Sequence, residues 1–180
     1  MDAPNPASIA LRRRIEWMDT DAAGIYHWTT AFRLAEAAEA ALHTALGFAD
    51  ITFGATPRVR VQADFKRSLR FNDAVDVTLA VAAVGRTSVR YRLAIAHDGA
   101  PVAEGEITSC FIDRETGRAI PWPDHVREGL VAGGEQPPPA CSSPRTSSGH
   151  GIARPVSRSM KQLVISPSAT SAWPCAIARR

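Results

Sequence analysis

The chain has 180 residues, 45% of them apolar and 22% charged, with a formal net charge of +3 at pH 7. That is enough for one ordinary domain with a real core and too little for a second of full size. The charge is divided unevenly: residues 1–132 hold 15 basic and 17 acidic side chains and residues 133–180 hold 6 and 1, which argues against a nucleic-acid partner for the body of the chain.

Residues 9–17 predict a first strand ending in Ile15-Glu16-Trp17. Asp19, Thr20, Asp21 and Gly24 follow, residue types that favour turns and helix starts. From His27 to Leu46 the spacing becomes helical, with Ala31, Leu34, Ala35, Ala38, Ala41, Leu42 and Ala45 on one face and Gly47 as the stop signal. A stripe of alanines lets a neighbour approach closely, which suits a helix lying in the hollow of a curved sheet. After a loop with Gly54 and Pro57, period-two patterns predict three strands: Val59 to Phe65, Val75 to Val81 and Val89 to Ile95. Asp98-Gly99 predicts a hairpin turn into a last strand, Val102 to Ile112, and Asp124 to Val131 predict a short closing helix. A strand, a long helix and then four consecutive strands make an α+β chain with an antiparallel sheet, because parallel pairing would need crossover helices. Residues 133–180 contain nine Ser and seven Pro without either period, so the domain is expected to occupy 1–132 and the rest to be a disordered basic tail.

Cys110, Cys141 and Cys175 form no CxxC pair, and the N-terminus lacks the apolar run of a secretory signal. A reduced, cytoplasmic protein is expected. No stretch approaches the roughly 20 apolar residues of a membrane span. His43, His97, His125 and His150 have no metal-ligand spacing, so neither metal nor cofactor is expected.

The run Arg14-Ile-Glu-Trp-Met-Asp-Thr-Asp-Ala-Ala-Gly-Ile-Tyr-His-Trp28 resembles the signature of the 4-hydroxybenzoyl-CoA thioesterase family of hotdog proteins: a strand, Asp-x-Asp-x-x-Gly, then an aromatic or His at the head of the long helix. Phe32, Glu36, Ala37, Gly47 and the run from Asp64 to Asp73 extend it, so that it covers residues 9–131. The resemblance implies a hotdog fold, an antiparallel sheet wrapped around one helix, and hydrolysis of an acyl-CoA to free acid and CoA. It puts catalysis on Asp21, as nucleophile or as general base, with Asp19 structural. Amide donors at His27 and Trp28 would polarise the thioester carbonyl, and Gly24 would let backbone and acyl group approach. Tyr26 and Trp28 would wall the acyl pocket, Glu36 would reach it, and Arg86, Thr87 and Ser88 would contact CoA. The site would lie between subunits of a homodimer or homotetramer.

Each residue also has a plainer reading. Asp21 can cap a helix, His27 can be a helix-start residue, Glu36 can face solvent and Arg86 can be a turn residue. A hotdog domain that binds an acyl or aromatic ligand without turnover is the alternative function.

Overall fold

The computed structural model describes residues 5–139. Strand β1 (Ser8–Arg14) leads through a 3-10 turn (Trp17–Asp19) and a loop to helix α1 (Trp28–Ala45) and the one-turn helix α2 (Ala49–Thr52). Strands β2 (Arg58–Phe65), β3 (Ala74–Val84), β4 (Ser88–His97) and β5 (Ala100–Cys110) follow, then helix α3 (Asp124–Ala132) and the two-residue strand β6 (Glu135–Gln136). One sheet holds all six strands in the order β2-β5-β4-β3-β1-β6. Every pairing is antiparallel except that of β1 with β6. Among the described residues no helix is long and apolar enough to cross a membrane.

The core is where the alternating strands meet the helical stripe. Ile9 and Leu11, Val75 to Val81 by twos, and Val89 to Ile95 by twos are all buried, and Ala31, Leu34, Ala35, Ala38 and Leu42 of α1 close over them. Fully burying one such Leu or Val contributes about 1.5–3 kcal/mol. Helix α1 lies over β1 and β3, and its alanines allow that close seat. It ends as Gly47 requires: φ is +75° there, Gly47 N–H bonds Thr44 O at 3.1 Å and Phe48 N–H bonds His43 O at 2.8 Å, a Schellman cap. The β4–β5 connection is the two-residue turn predicted, with Asp98 at φ +49° and Gly99 at φ +74°, both left-handed as a type I′ hairpin demands.

Three features are set by more than the local pattern, each for a stated reason. The first strand stops at Arg14, because Glu16 N–H bonds the Asp19 carboxylate at 2.8 Å and turns the chain into the 3-10 turn, leaving Trp17 exposed. The period-two face of β2 is not buried in this chain: Val59, Val61 and Phe65 are 60, 42 and 45% exposed, since β2 is an edge strand that α1 does not cover. The chain beyond 132 does not lose structure at once, because Glu135–Gln136 add to the β1 edge. The remainder of the expected tail, 140–180, lies outside the described residues.

Candidate active site

The Asp-x-Asp motif divides its work between its two carboxylates. Asp19 is buried, and its oxygens take Arg33 of α1 at 2.5 and 2.9 Å as well as the Glu16 N–H. Its carbonyl accepts from His27 N–H at 2.7 Å and Thr30 Oγ1 at 3.0 Å. One residue thus ties the end of β1 to the head of α1. Asp21 is exposed on the loop so formed. Its N–H bonds Ile25 O, its carbonyl accepts from Gly24 N–H, both at 3.0 Å, and its Oδ1 accepts from Ala23 N–H at 2.8 Å. Oδ2 has no protein partner among the described residues. Gly24 sits at φ +71° with nothing within 4 Å of where a Cβ would stand. A glycine is needed there for the left-handed turn.

Asp21 faces a groove of about 440 Å³ lined also by Ile25, Tyr26, Trp28, Phe65 and Lys66. The Tyr26 and Phe65 rings lie 6.3 Å apart, and Trp28 meets Phe32 edge-on at 5.7 Å. Tyr26 carries a buried hydroxyl with no partner among the described residues, and burial pushes its pKa up. Tyr26 and Trp28, the two residues expected to wall an acyl pocket, line this groove together with Asp21.

The helix head is only partly open to a ligand. His27 N–H is occupied by Asp19 O, so it is not the free donor expected. Thr30 N–H bonds His27 O, and Thr29 N–H bonds His27 Nδ1 at 3.3 Å. Trp28 N–H has no partner among the described residues. The His27 ring is the N-cap of α1 and lines a different hollow, with Met18, Asp19 and Arg33.

The remaining expected residues lie elsewhere in the single chain. Arg86 and Thr87 lie in the β3–β4 turn and Ser88 opens β4, at the far end of β3 from Ala74, which pairs with Arg14 just before the motif. Eleven residues of strand separate the two ends, about 35 Å. Glu36 is half-exposed, pairs with Arg58 at 3.3 Å and lines a second cavity of about 510 Å³.

That second cavity contains what the sequence reading missed. Glu39 is 5% exposed; its Oε2 meets Arg58 at 2.5 Å and its Oε1 has no partner among the described residues. Burial raises its pKa, against the lowering effect of Arg58. His43 is buried between Thr52 Oγ1 and Tyr91 OH, both at 2.8 Å, and burial lowers its pKa to about 4. A signal existed: Ala31, Ala35, Glu39 and His43 recur every four residues along one row of the buried face.

The model of the thioesterase-like superfamily matches residues 15–130. The chain belongs to that superfamily. Over 130 residues it is 26% identical to a 1,4-dihydroxy-2-naphthoyl-CoA hydrolase of Synechococcus elongatus, covering 69% of this chain and 96% of that relative. A predicted thioesterase from Bacillus stearothermophilus superposes with a TM-score of 0.65 at 23% identity, over 72% of this chain and 98% of that one. A 1,4-dihydroxy-2-naphthoyl-CoA thioesterase from Synechocystis gives 0.63 at 16%, over 68% and 95%. The fold is the hotdog fold that the motif implied, and superfamily membership makes the protein a thioester hydrolase.

Proposed function

We propose that the protein hydrolyses an acyl-CoA to the free acid and CoA, in the manner of the 4-hydroxybenzoyl-CoA branch of the superfamily, with Asp21 as the reacting carboxylate. The observation that carries this is Asp21 Oδ2, free beside a groove at the head of α1, with the Trp28 N–H unpaired nearby in the chain. The thioester carbon approaches Oδ2 while its oxygen turns to the Trp28 amide, where developing negative charge gains from the helix end. Asp21 then either attacks the carbon, expelling the CoA thiolate and leaving a mixed anhydride for water to cleave, or takes a proton from water that attacks instead. An unlabelled acid with label left in Asp21 after a single turnover in ¹⁸O-water identifies the anhydride route with water attacking the Asp21 carboxyl carbon.

In this reading two copies pair through their β2 edges, whose exposed Val59, Val61 and Phe65 are otherwise wet. Antiparallel pairing carries the partner's Arg86, Thr87 and Ser88 to the Asp21 end, where they join Lys66 and Arg67 as contacts for CoA. Such dimers can associate further into tetramers. The aromatic wall and the 1,4-dihydroxy-2-naphthoyl-CoA hydrolase relative favour an aromatic acyl group. The test is thiol release from a panel of acyl-CoAs with wild type and Asp21→Asn. Release by wild type and its loss in the variant support the proposal. Equal rates overturn the site, and ligand binding without release makes the protein a binder.

A further inference from the structure

The residues just before the motif leave an apolar tip in water. Trp17, Met18 and Phe71 are 77, 78 and 55% exposed. Single exposed apolar side chains are ordinary, but three large ones on two joined loops are not. Trp17 and Met18 sit on the 3-10 turn, and Phe71 belongs to the loop between β2 and β3. The Trp17 and Phe71 rings meet edge to face at 6.1 Å. The two segments are fastened to each other: Ile15 N–H bonds Asp73 O at 2.9 Å, Asn72 N–H bonds Ile15 O at 2.8 Å, and the Arg14 guanidinium donates to Asn72 O at 2.9 Å. The tip is thus held out on a braced backbone.

Charge singles out the same place. Residues 13–18 and 66–73 hold five basic side chains, Arg13, Arg14, Lys66, Arg67 and Arg70, against Glu16 and Asp73, whereas the remainder of residues 1–132 holds 10 basic and 15 acidic. Of the five, only Lys66 is in an ion pair among the described residues. A CoA substrate accounts for Lys66 and Arg67, which line the Asp21 groove, but not for Trp17, Met18 and Phe71, which lie outside that lining.

We propose that this tip docks the protein on an anionic lipid bilayer: Trp17, Met18 and Phe71 enter the interfacial zone, and Arg13, Arg14 and Arg70 meet the lipid phosphates around them. Aromatic rings favour that zone, and each cation near an anionic surface adds to the attraction. A projecting apolar tip needs no matching pocket on a fluid surface, which favours a bilayer over a folded protein partner. With no spanning helix among the described residues, the contact is peripheral. The segment that ends in this tip also supplies Lys66, Arg67 and Ser68 to the Asp21 groove, so docking sets the groove beside the lipid. The proposal does not depend on the thioesterase reading.

The experiment sediments the full-length protein with vesicles of phosphatidylcholine alone and of phosphatidylcholine with phosphatidylglycerol at about three to one. Wild type is expected to bind the anionic vesicles at least about tenfold more tightly, with a preference that shrinks as salt is added. The triple variant Trp17→Ser, Met18→Ser, Phe71→Ser keeps every charge of the chain, including the 6 basic residues of 133–180. It is expected to bind about tenfold more weakly or worse, with circular dichroism unchanged. Arg70→Gln is expected to weaken binding about fivefold. Bromine-labelled acyl chains are expected to quench the tryptophan fluorescence of wild type, and Trp17→Phe to lose most of that quenching while staying bound, a readout that holds where the triple variant fails to fold. Binding unchanged in a folded triple variant assigns adsorption to charge alone and overturns the proposal, as does equal quenching in wild type and Trp17→Phe. Wild type bound to neither vesicle overturns it and leaves the tip to a protein partner. A lower oligomeric state in the triple variant, read by sedimentation velocity, makes the tip a contact between copies and overturns it too.

Discussion

The two ends of α1's working face are built on opposite plans. At its head, bonds run mostly between near neighbours in the chain: Asp19 alone engages Glu16, His27, Thr30 and Arg33, and the loop presents Asp21 with one oxygen fixed and one free, while the Tyr26 hydroxyl stays unpaired among the described residues. Midway along, Glu39 and His43 meet Arg58 of β2, Tyr91 of β4 and Thr52 of α2, and polar atoms stay unpaired. A local hydrogen-bonded loop holds a reactive group in place in a single chain. A nonlocal polar pocket with vacant acceptors suits a group that arrives with a partner or a ligand.

The contrast can be broken most severely at Asp21. Asp21→Asn keeps the loop, since the amide oxygen still accepts from Ala23 N–H, and it is expected to lower kcat by about 10² to 10⁴ with little change in melting temperature. A comparable fall in stability would make Asp21 a brace and not a catalyst.

The pocket responds next, through pH. Burial lowers the His43 pKa from 6.5 to about 4, so the unfolded chain binds its proton more readily between those values. The stabilisation is full above about pH 6.5 and is lost as pH falls toward 4, by up to about 3 kcal/mol. Urea unfolding at pH 7 and pH 4.5 reads this, and the His43→Gln variant is expected to show a smaller difference between the two pH values.

A smaller effect is expected at Asp19. Asp19→Ala leaves Arg33 and the Glu16 N–H without their acceptor and is expected to cost about 2 kcal/mol in denaturant unfolding. Its activity should fall through kcat, as the loop slackens. His27→Ala sharpens the division of roles further: losing an N-cap costs about 1 kcal/mol, and because its ring is outside the Asp21 groove, kcat is expected to fall by less than about tenfold, below the range of a lost general base. A larger loss in a steady-state assay would return His27 to the chemistry.

Much of the loop-and-helix end was legible beforehand because its signals are short-range. The Asp19 to Gly24 turn chemistry, the alanine stripe, the Gly47 stop and the Asp98-Gly99 hairpin each depend on residues within a few positions of one another. The pocket was hidden for the complementary reason. Glu39 and His43 have ordinary helical spacing, and nothing near them in the chain announces Arg58, Tyr91 or Ser109. Likewise, alternation made Val59 to Phe65 a strand without saying that it would be an uncovered edge, and no local rule put Arg86 at the opposite end of the sheet from Asp21.

The sequence by itself therefore determined which segments became strands, helix and turns, and which carboxylate stands at the helix head, since periodicity and backbone preference act over neighbours. Only the tertiary structure decided which faces are covered, which polar groups are sealed in without partners and which end of the sheet each loop occupies. Those outcomes depend on contacts between residues far apart in the chain, such as His43 with Tyr91, 48 positions away, and Arg58 with Glu39, 19 away, where packing and desolvation outweigh local preference.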